Sequence, residues 1–451
     1  MNTHGLATGI SRKAAFRAAL NLFDLLVMAA LLVIPFVWLF HPLKMTLGPL
    51  RLHISWGLKP ILAPLVFLTG RMALASFWGR YGYAVQSLMN TRGYKRLVLM
   101  LISLYLFVAS MESALAAIGF KAELPPIIFI GKDSQGGVIK SDTLPDAKLM
   151  FKYEPGSIFA GRRINRMGFR EREVDPEKKP GTIRVICMGD SVTAQGRPGY
   201  SQYLHERLTN SPPTHQPWEA FNMGVHGYSS IQGLKLFQTR GKLLKPDIVT
   251  IWFGWNDHWM CDKTDREKMA IETGVLTGPI MEALHRKRLY MFLVRALKPV
   301  RHQLRKNGER PFRAPPAEYQ ATLKMLVQET RKAGAIPILL TAPRRSLTET
   351  LVAKGFVISP EEGQRIHDQY ADMTRAVARD TQAFLLDLAA IFAGKECDSY
   401  FARDGIHFDN YEAEPYLTDD LRPQPGLQRV AAELDAKIRE IVHSREWQNL
   451  H

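Results

Sequence analysis

The chain has 451 residues, 46% of them apolar, and a formal net charge of +16, which allows two or three domains and excludes wholesale disorder. Its three cysteines, Cys187, Cys261 and Cys397, form no CxxC or Cys/His cluster, so neither a metal nor any other cofactor is expected. The positive charge raises nucleic acid as a partner, but no nucleic-acid motif or aromatic-basic repeat accompanies it, and part of it flanks apolar segments, as at a membrane surface.

Residues 1–120 are read as a membrane anchor. The run at 22–40 is broken only by Asp24, and that at 97–118 carries one acid, Glu112; each is long enough for a bilayer, which needs roughly 20 residues. The first is longer than a signal-peptide core and lacks a small-residue cleavage site. Between them, 54–76 is apolar but punctuated by Lys59, Pro60, Pro64 and Arg71, either a third span or an interfacial segment. Arg12, Lys13 and Arg17 place the N-terminus in the cytoplasm, and the basic, acid-free stretch 71–96 favours three spans with the remainder outside the cytoplasm. Two spans and a cytoplasmic remainder is the alternative.

Residues 121–180, rich in Pro, Gly and charge, read as a connector that becomes ordered near Arg162–Arg170. From 181 to 451 apolar strands alternate with helices. The expected strands are Ile183–Met188, Glu219–Met223, Asp247–Phe253, Ile336–Thr341 and Phe384–Leu388. The expected helices are Tyr200–Leu208, Gln232–Leu244, Ala317–Ala333, Ile366–Thr381 and Leu427–Val442. This alternation implies an α/β fold with a parallel sheet covered on both faces.

Four ordered segments carry the chemistry: Gly189-Asp190-Ser191, Asn222–Gly227, Gly254-Trp255-Asn256-Asp257 and Asp404-Gly405-Ile406-His407. The first three follow successive strands and so share the rim where parallel sheets bind ligands. A serine hydroxyl needs a base. His407 is the candidate, with Asp404 three residues earlier to hold its other ring nitrogen. The backbone N–H groups of Ser191 and Gly227 and the amide of Asn256 are the candidate oxyanion donors. Asp190 and Asp257 are expected to fix loop geometry, and His226 and His258 to line the site. Gly-Asp-Ser alone would be an ordinary turn; the argument rests on the four segments together.

These segments resemble those of the SGNH hydrolases, a branch of the GDSL esterase/lipase superfamily, over about residues 160–445, and the apolar runs before them suggest a bacterial membrane-anchored member. Residues 163–170, RINRMGFR, resemble the Asn-x-x-Gly-Phe-Arg lead-in of bacterial members. The resemblance implies a flavodoxin-like three-layer α/β/α sandwich and metal-independent ester hydrolysis. It carries over Ser191, Gly227, Asn256 and His407, with Asp404 as the acid. Val192 after the Gly-Asp-Ser and His226 before Gly227 depart from its pattern, leaving the substrate open. No Gly-x-Ser-x-Gly elbow surrounds Ser191, which argues against an ordinary α/β-hydrolase.

Cys261 and Cys397 stand near the Asn256 and Asp404 loops, so an extracytoplasmic disulfide between them is one reading and two unpaired thiols the other; Cys187 is expected in the core. The insertion 262–316 holds ten Lys/Arg within 286–313 against one acid, Glu309, with Leu289, Phe292, Leu293 and Ala296 at helical spacing. It reads as a helix with a solvated basic face, or as a lid on anionic headgroups or an acidic glycan. The expected activity is a serine esterase acting on an acyl or acetyl ester of a lipid or envelope glycan, at the bacterial inner membrane with its catalytic domain periplasmic. The alternatives are an O-acyltransferase with the same residues and an inactive glycan-binding or assembly module.

Overall fold

The computed structural model describes residues 22, 43–47, 50–54, 92–120, 143–146, 149–272, 277–285, 287–304, 310–409, 411 and 423–450. Contacts divide the chain into two compact units, residues 1–125 with 275–301, and residues 126–274 with 302–451.

In the first unit the run expected at 97–118 is helical from Arg92 to Ala117, and Leu99, Met100, Leu104, Leu106 and Phe107 are exposed on it. Among the described residues no helix is long and apolar enough to cross a membrane. The expected spans 22–40 and 54–76 lie outside the described residues apart from Leu22 and Ile54. The basic insertion is helical at Arg288–Leu304. It is tied to the end of the apolar helix: Arg288 donates to the Phe120 carbonyl at 3.1 Å, and the Leu289 N–H donates to the Glu112 carboxylate at 3.1 Å. Arg295 lies 4.7 Å over the Phe120 ring.

The second unit is built on five parallel strands: β1 (Ile183–Gly189), β2 (Trp218–Asn222), β3 (Ile248–Trp252), β4 (Ile336–Leu340) and β5 (Phe384–Leu386), in the order β5-β4-β3-β1-β2. This is a doubly wound arrangement, with its order reversal beside β1. Strand β1 is buried on both faces, so its sequence is continuously apolar apart from Arg184. Its side chains still alternate. Val185 and Cys187 pack with helices α1 (Tyr200–Asn210) and α5 (Pro425–Ile441), whereas Ile186 and Met188 pack with α2 (Ser230–Thr239), α3 (Pro316–Lys332) and α4 (Pro360–Thr381). Helices α3, α4 and α5 open on prolines, whose missing N–H costs nothing in a first turn. The layered α/β architecture expected from the sequence is therefore present, with strand and helix ends differing by a few residues.

The expected connector needs correction. From Leu149 onward it is part of the second unit's core: Leu149, Phe151, Tyr153, Phe159, Ile164 and Phe169 are buried in the same apolar cluster as Ile186 and Met188. Its backbone is fixed there as well, since Gln232 donates to the Leu149 carbonyl and the Tyr228 hydroxyl to that of Phe151.

The suggested disulfide is also absent. Cys261 and Cys397 are both free. The Cys261 thiol faces the carbonyls of Lys263 and Pro311, while Cys397 faces that of Ile391 and packs in the α1/α5 layer. Each sulfur is committed to its own loop. Cys187 is a core residue as expected, and burial pushes its thiol up to about 12.

Candidate active site

Strand β1 ends in Gly189, where no other residue fits: a Cβ would stand 2.4 Å from the Trp252 carbonyl oxygen. Asp190 caps the short helix Ser191–Ala194 by accepting from the Val192 N–H at 2.9 Å, which sets Ser191 on its first turn. The RINRMGFR segment supports this turn from behind. Asn165 accepts from the Phe169 N–H across a tight turn at Gly168 (φ 81°). This directs the Arg170 guanidinium, fully buried, onto the carbonyls of Phe159, Ala160, Ala194 and Gly196.

The loop 402–408 brings the histidine. Asp404 Oδ1 accepts from the N–H groups of Ile406 and His407, both at 2.9 Å, and its Oδ2 lies 2.6 Å from His407 Nδ1. His407 Nε2 lies 2.8 Å from Ser191 Oγ. Since ionised Asp404 can only accept, Nδ1 donates to it, leaving Nε2 to accept the serine proton. The imidazole beside it, and then these hydrogen bonds, hold the Asp404 carboxyl down at about 2 against the effect of burial. Gln195, one turn after Ser191 and fully buried, joins the two loops by donating to the Val192 carbonyl and accepting from the Phe408 N–H.

The expected oxyanion donors stand on the loops that follow the adjacent parallel strands β1, β2 and β3. Among the described residues the N–H groups of Ser191 and Gly227 donate to no acceptor. Gly227 has φ 78°, a left-handed conformation that favours glycine. Asn256 donates one amide hydrogen to the Tyr228 carbonyl at 3.1 Å, leaving its second for a ligand. Asp257 fixes this loop, accepting from the Ser230 N–H and hydroxyl and from the Gly254 N–H.

Of the two flanking histidines, His258 is a core residue. It hydrogen-bonds His367 Nδ1 at 3.0 Å while His367 donates to the Ala342 carbonyl and stacks on Trp255. His226 is fully buried and paired with Tyr153. Burial, with the Arg170 charge and His407 nearby, keeps its imidazole well below the ordinary range and therefore neutral. Three residues in or beside the site were not found from sequence: Gln195, Tyr153, and Tyr411, whose ring lies flat on His407 at 3.6 Å between centroids. Gln195 and Tyr411 each stand four residues beyond a site residue, a weak signal. Tyr153 gave none.

Residues 187–410 match the model of the GDSL-like lipase/acylhydrolase family. The chain carries a domain of this family. It is thereby an ester hydrolase by class, and all four sequence segments, Gly189-Asp190-Ser191 through His407, lie within the GDSL-like match. Among solved structures, a lipase/acylhydrolase from Enterococcus faecalis is 17% identical, with 57% of this chain and 96% of that one covered and a TM-score of 0.36. An acetylxylan esterase from Geobacillus stearothermophilus is 18% identical, with 57% and 94% covered and a TM-score of 0.35. A search of curated proteins gives no match.

Proposed function

We propose that the chain is a membrane-anchored serine esterase that cleaves an acyl or acetyl ester of a lipid or envelope glycan, with Ser191, His407 and Asp404 as its catalytic triad. The observation that carries this reading is the unbroken hydrogen-bond line from Ser191 Oγ through His407 to Asp404. Ser191 Oγ attacks the ester carbonyl as its proton passes to His407 Nε2. The N–H groups of Ser191 and Gly227 and the Asn256 amide take the oxyanion. Collapse expels the alcohol, which receives the proton from His407. Water, activated by the same nitrogen, then releases the acid and restores Ser191.

Anchoring is supported by the apolar runs at 22–40 and 97–118, by the net charge of +16, and by the exposed large apolar side chains of the helix Arg92–Ala117. The charge pattern favours a periplasmic catalytic domain. Carbonate extraction of membranes and a topology reporter fused after residue 120 test this; full release into the soluble fraction contradicts it.

The chemistry is tested by a fluorophosphonate probe together with acetyl, short-chain and long-chain esters. Wild type is expected to label and turn over, and Ser191→Ala to do neither, losing at least about 10⁴-fold in kcat. Labelling that survives unchanged in Ser191→Ala contradicts the assignment.

A further inference from the structure

The proposed reaction uses three N–H donors, yet the loop after β2 holds a fourth. His226, buried to 0% exposure, directly precedes Gly227. Its backbone N–H donates to the Tyr153 hydroxyl at 2.8 Å, and its Nδ1 lies 2.6 Å from the same oxygen. We take the hydroxyl to accept from the backbone and to donate to Nδ1, an arrangement that puts the ring hydrogen on Nε2. That nitrogen has no hydrogen-bond partner among the described residues. Folded proteins seldom leave a buried donor unmet, and a site that receives its acceptor with the ligand is one reason to do so.

The placement of the ring supplies the second observation. Tyr411, flat on His407, also runs within 17° of parallel to His226, with centroids 6.2 Å apart. Phe159 and Tyr153 pack against His226 at 4.9 and 6.3 Å. A donor with no partner among the described residues therefore stands on the residue before an oxyanion candidate and shares a ring neighbour, Tyr411, with His407.

We infer that His226 is a substrate-binding residue whose Nε2–H donates to an oxygen of the bound ester, with Tyr153 as the positioning residue that fixes its tautomer. This rests on the reading of Ser191 as nucleophile. The acceptor is an oxygen of the bound substrate in either of two settings, the oxyanion itself or a hydroxyl or ring oxygen of a polyhydroxylated alcohol. The donor lies on the residue before Gly227 in the first case and faces the leaving group in the second.

The test measures kcat/KM for wild type, His226→Phe, His226→Gln and Tyr153→Phe, using an alkyl acetate and an acetylated sugar, with probe labelling of Ser191 as control. Phenylalanine keeps the ring without the donor, and glutamine carries an N–H at the reach of Nε2. His226→Phe is expected to lose about 100-fold while Ser191 still takes the probe, and His226→Gln to recover most of that loss. An equal loss on both esters assigns the acceptor to the oxyanion; a loss confined to the sugar ester assigns it to the alcohol. Wild-type kinetics in His226→Phe, or an equally deep loss in the glutamine variant, overturns the inference. If His226→Phe does not fold, Tyr153→Phe decides: a loss of about tenfold at unchanged labelling is expected, and unaltered kinetics overturns it. Absence of labelling in wild type defeats the nucleophile assignment instead.

Discussion

The two loops that meet at Ser191 Oγ each hold an aspartate, and they hold it in opposite ways. Asp404 accepts two backbone N–H bonds on one oxygen and faces His407 with the other, and its carboxyl is held down at about 2. Asp190 is wholly buried and accepts one N–H, that of Val192. Its second oxygen has no partner among the described residues, and burial pushes the carboxyl up to about 7. The residue type is the same and the loops are neighbours, so the difference follows from full burial at Asp190 and from the facing imidazole and added hydrogen bonds at Asp404. In the proposed reaction Asp404 supplies a permanent charge to the imidazolium that forms. Asp190 supplies an acceptor to a helix terminus and does not require charge for it.

Asp404→Asn breaks the comparison at its charged end and carries the largest effect expected after loss of Ser191. The amide can present its N–H to His407 Nδ1, which forces the ring proton onto Nε2 and leaves no base for the serine. A fall in kcat of about 10³–10⁴-fold is expected, measured on whichever ester wild type cleaves best. Near-normal kcat contradicts the role given to Asp404.

Asn256→Ala tests the other side of the rim, where no formal charge is present before reaction. Its second amide hydrogen is one of the three proposed donors, so its removal is expected to lower kcat by about 10²–10³-fold with KM little changed. A rise in KM with unchanged kcat instead makes Asn256 a ground-state binding group.

The sequence exposed this rim because its parts obey local rules. Buried parallel strands are continuous apolar runs, the loops at their ends carry the polar chemistry, and the Asp404–His407 pairing needs only a three-residue turn. The segment 149–170 obeys no such rule. Tyr153 reaches His226 over a sequence separation of 73 residues, and Tyr228 reaches Phe151 over 77. In a stretch interrupted by Pro, Gly and charge, neither helical nor strand periodicity marked those aromatics as core. The choice between paired and free Cys261 and Cys397 was not legible for a related reason: proximity of two loops to one rim does not set the direction of their Cβ vectors.

Asp190→Asn breaks the comparison at its uncharged end, with the smallest effect on catalysis and a diagnostic one on stability. Asparagine keeps the Oδ1 acceptor for Val192 and cannot ionise, so kcat is expected to stay within about tenfold of wild type, far above Asp404→Asn. For stability the sign follows from proton uptake. The unfolded carboxyl loses its proton near its ordinary value of 3.8 and the folded one near 7, so between those values the native state binds more protons and stability falls as pH rises. The fall is at most roughly 4 kcal/mol, at 1.36 kcal/mol per pKa unit. Asp257, raised to about 6 by burial, adds to the same slope. Asp404, with its folded value below the unfolded one, contributes the reverse: its stabilisation is present above about pH 4 and is lost as pH falls toward 2. Melting temperature followed from pH 4 to 7 should therefore decline less steeply in Asp190→Asn than in wild type, and the variant should be the more stable of the two at pH 7. An unchanged slope would mean that Asp190 is already ionised across that range, and that the loop tolerates an anion without the partners its neighbour requires.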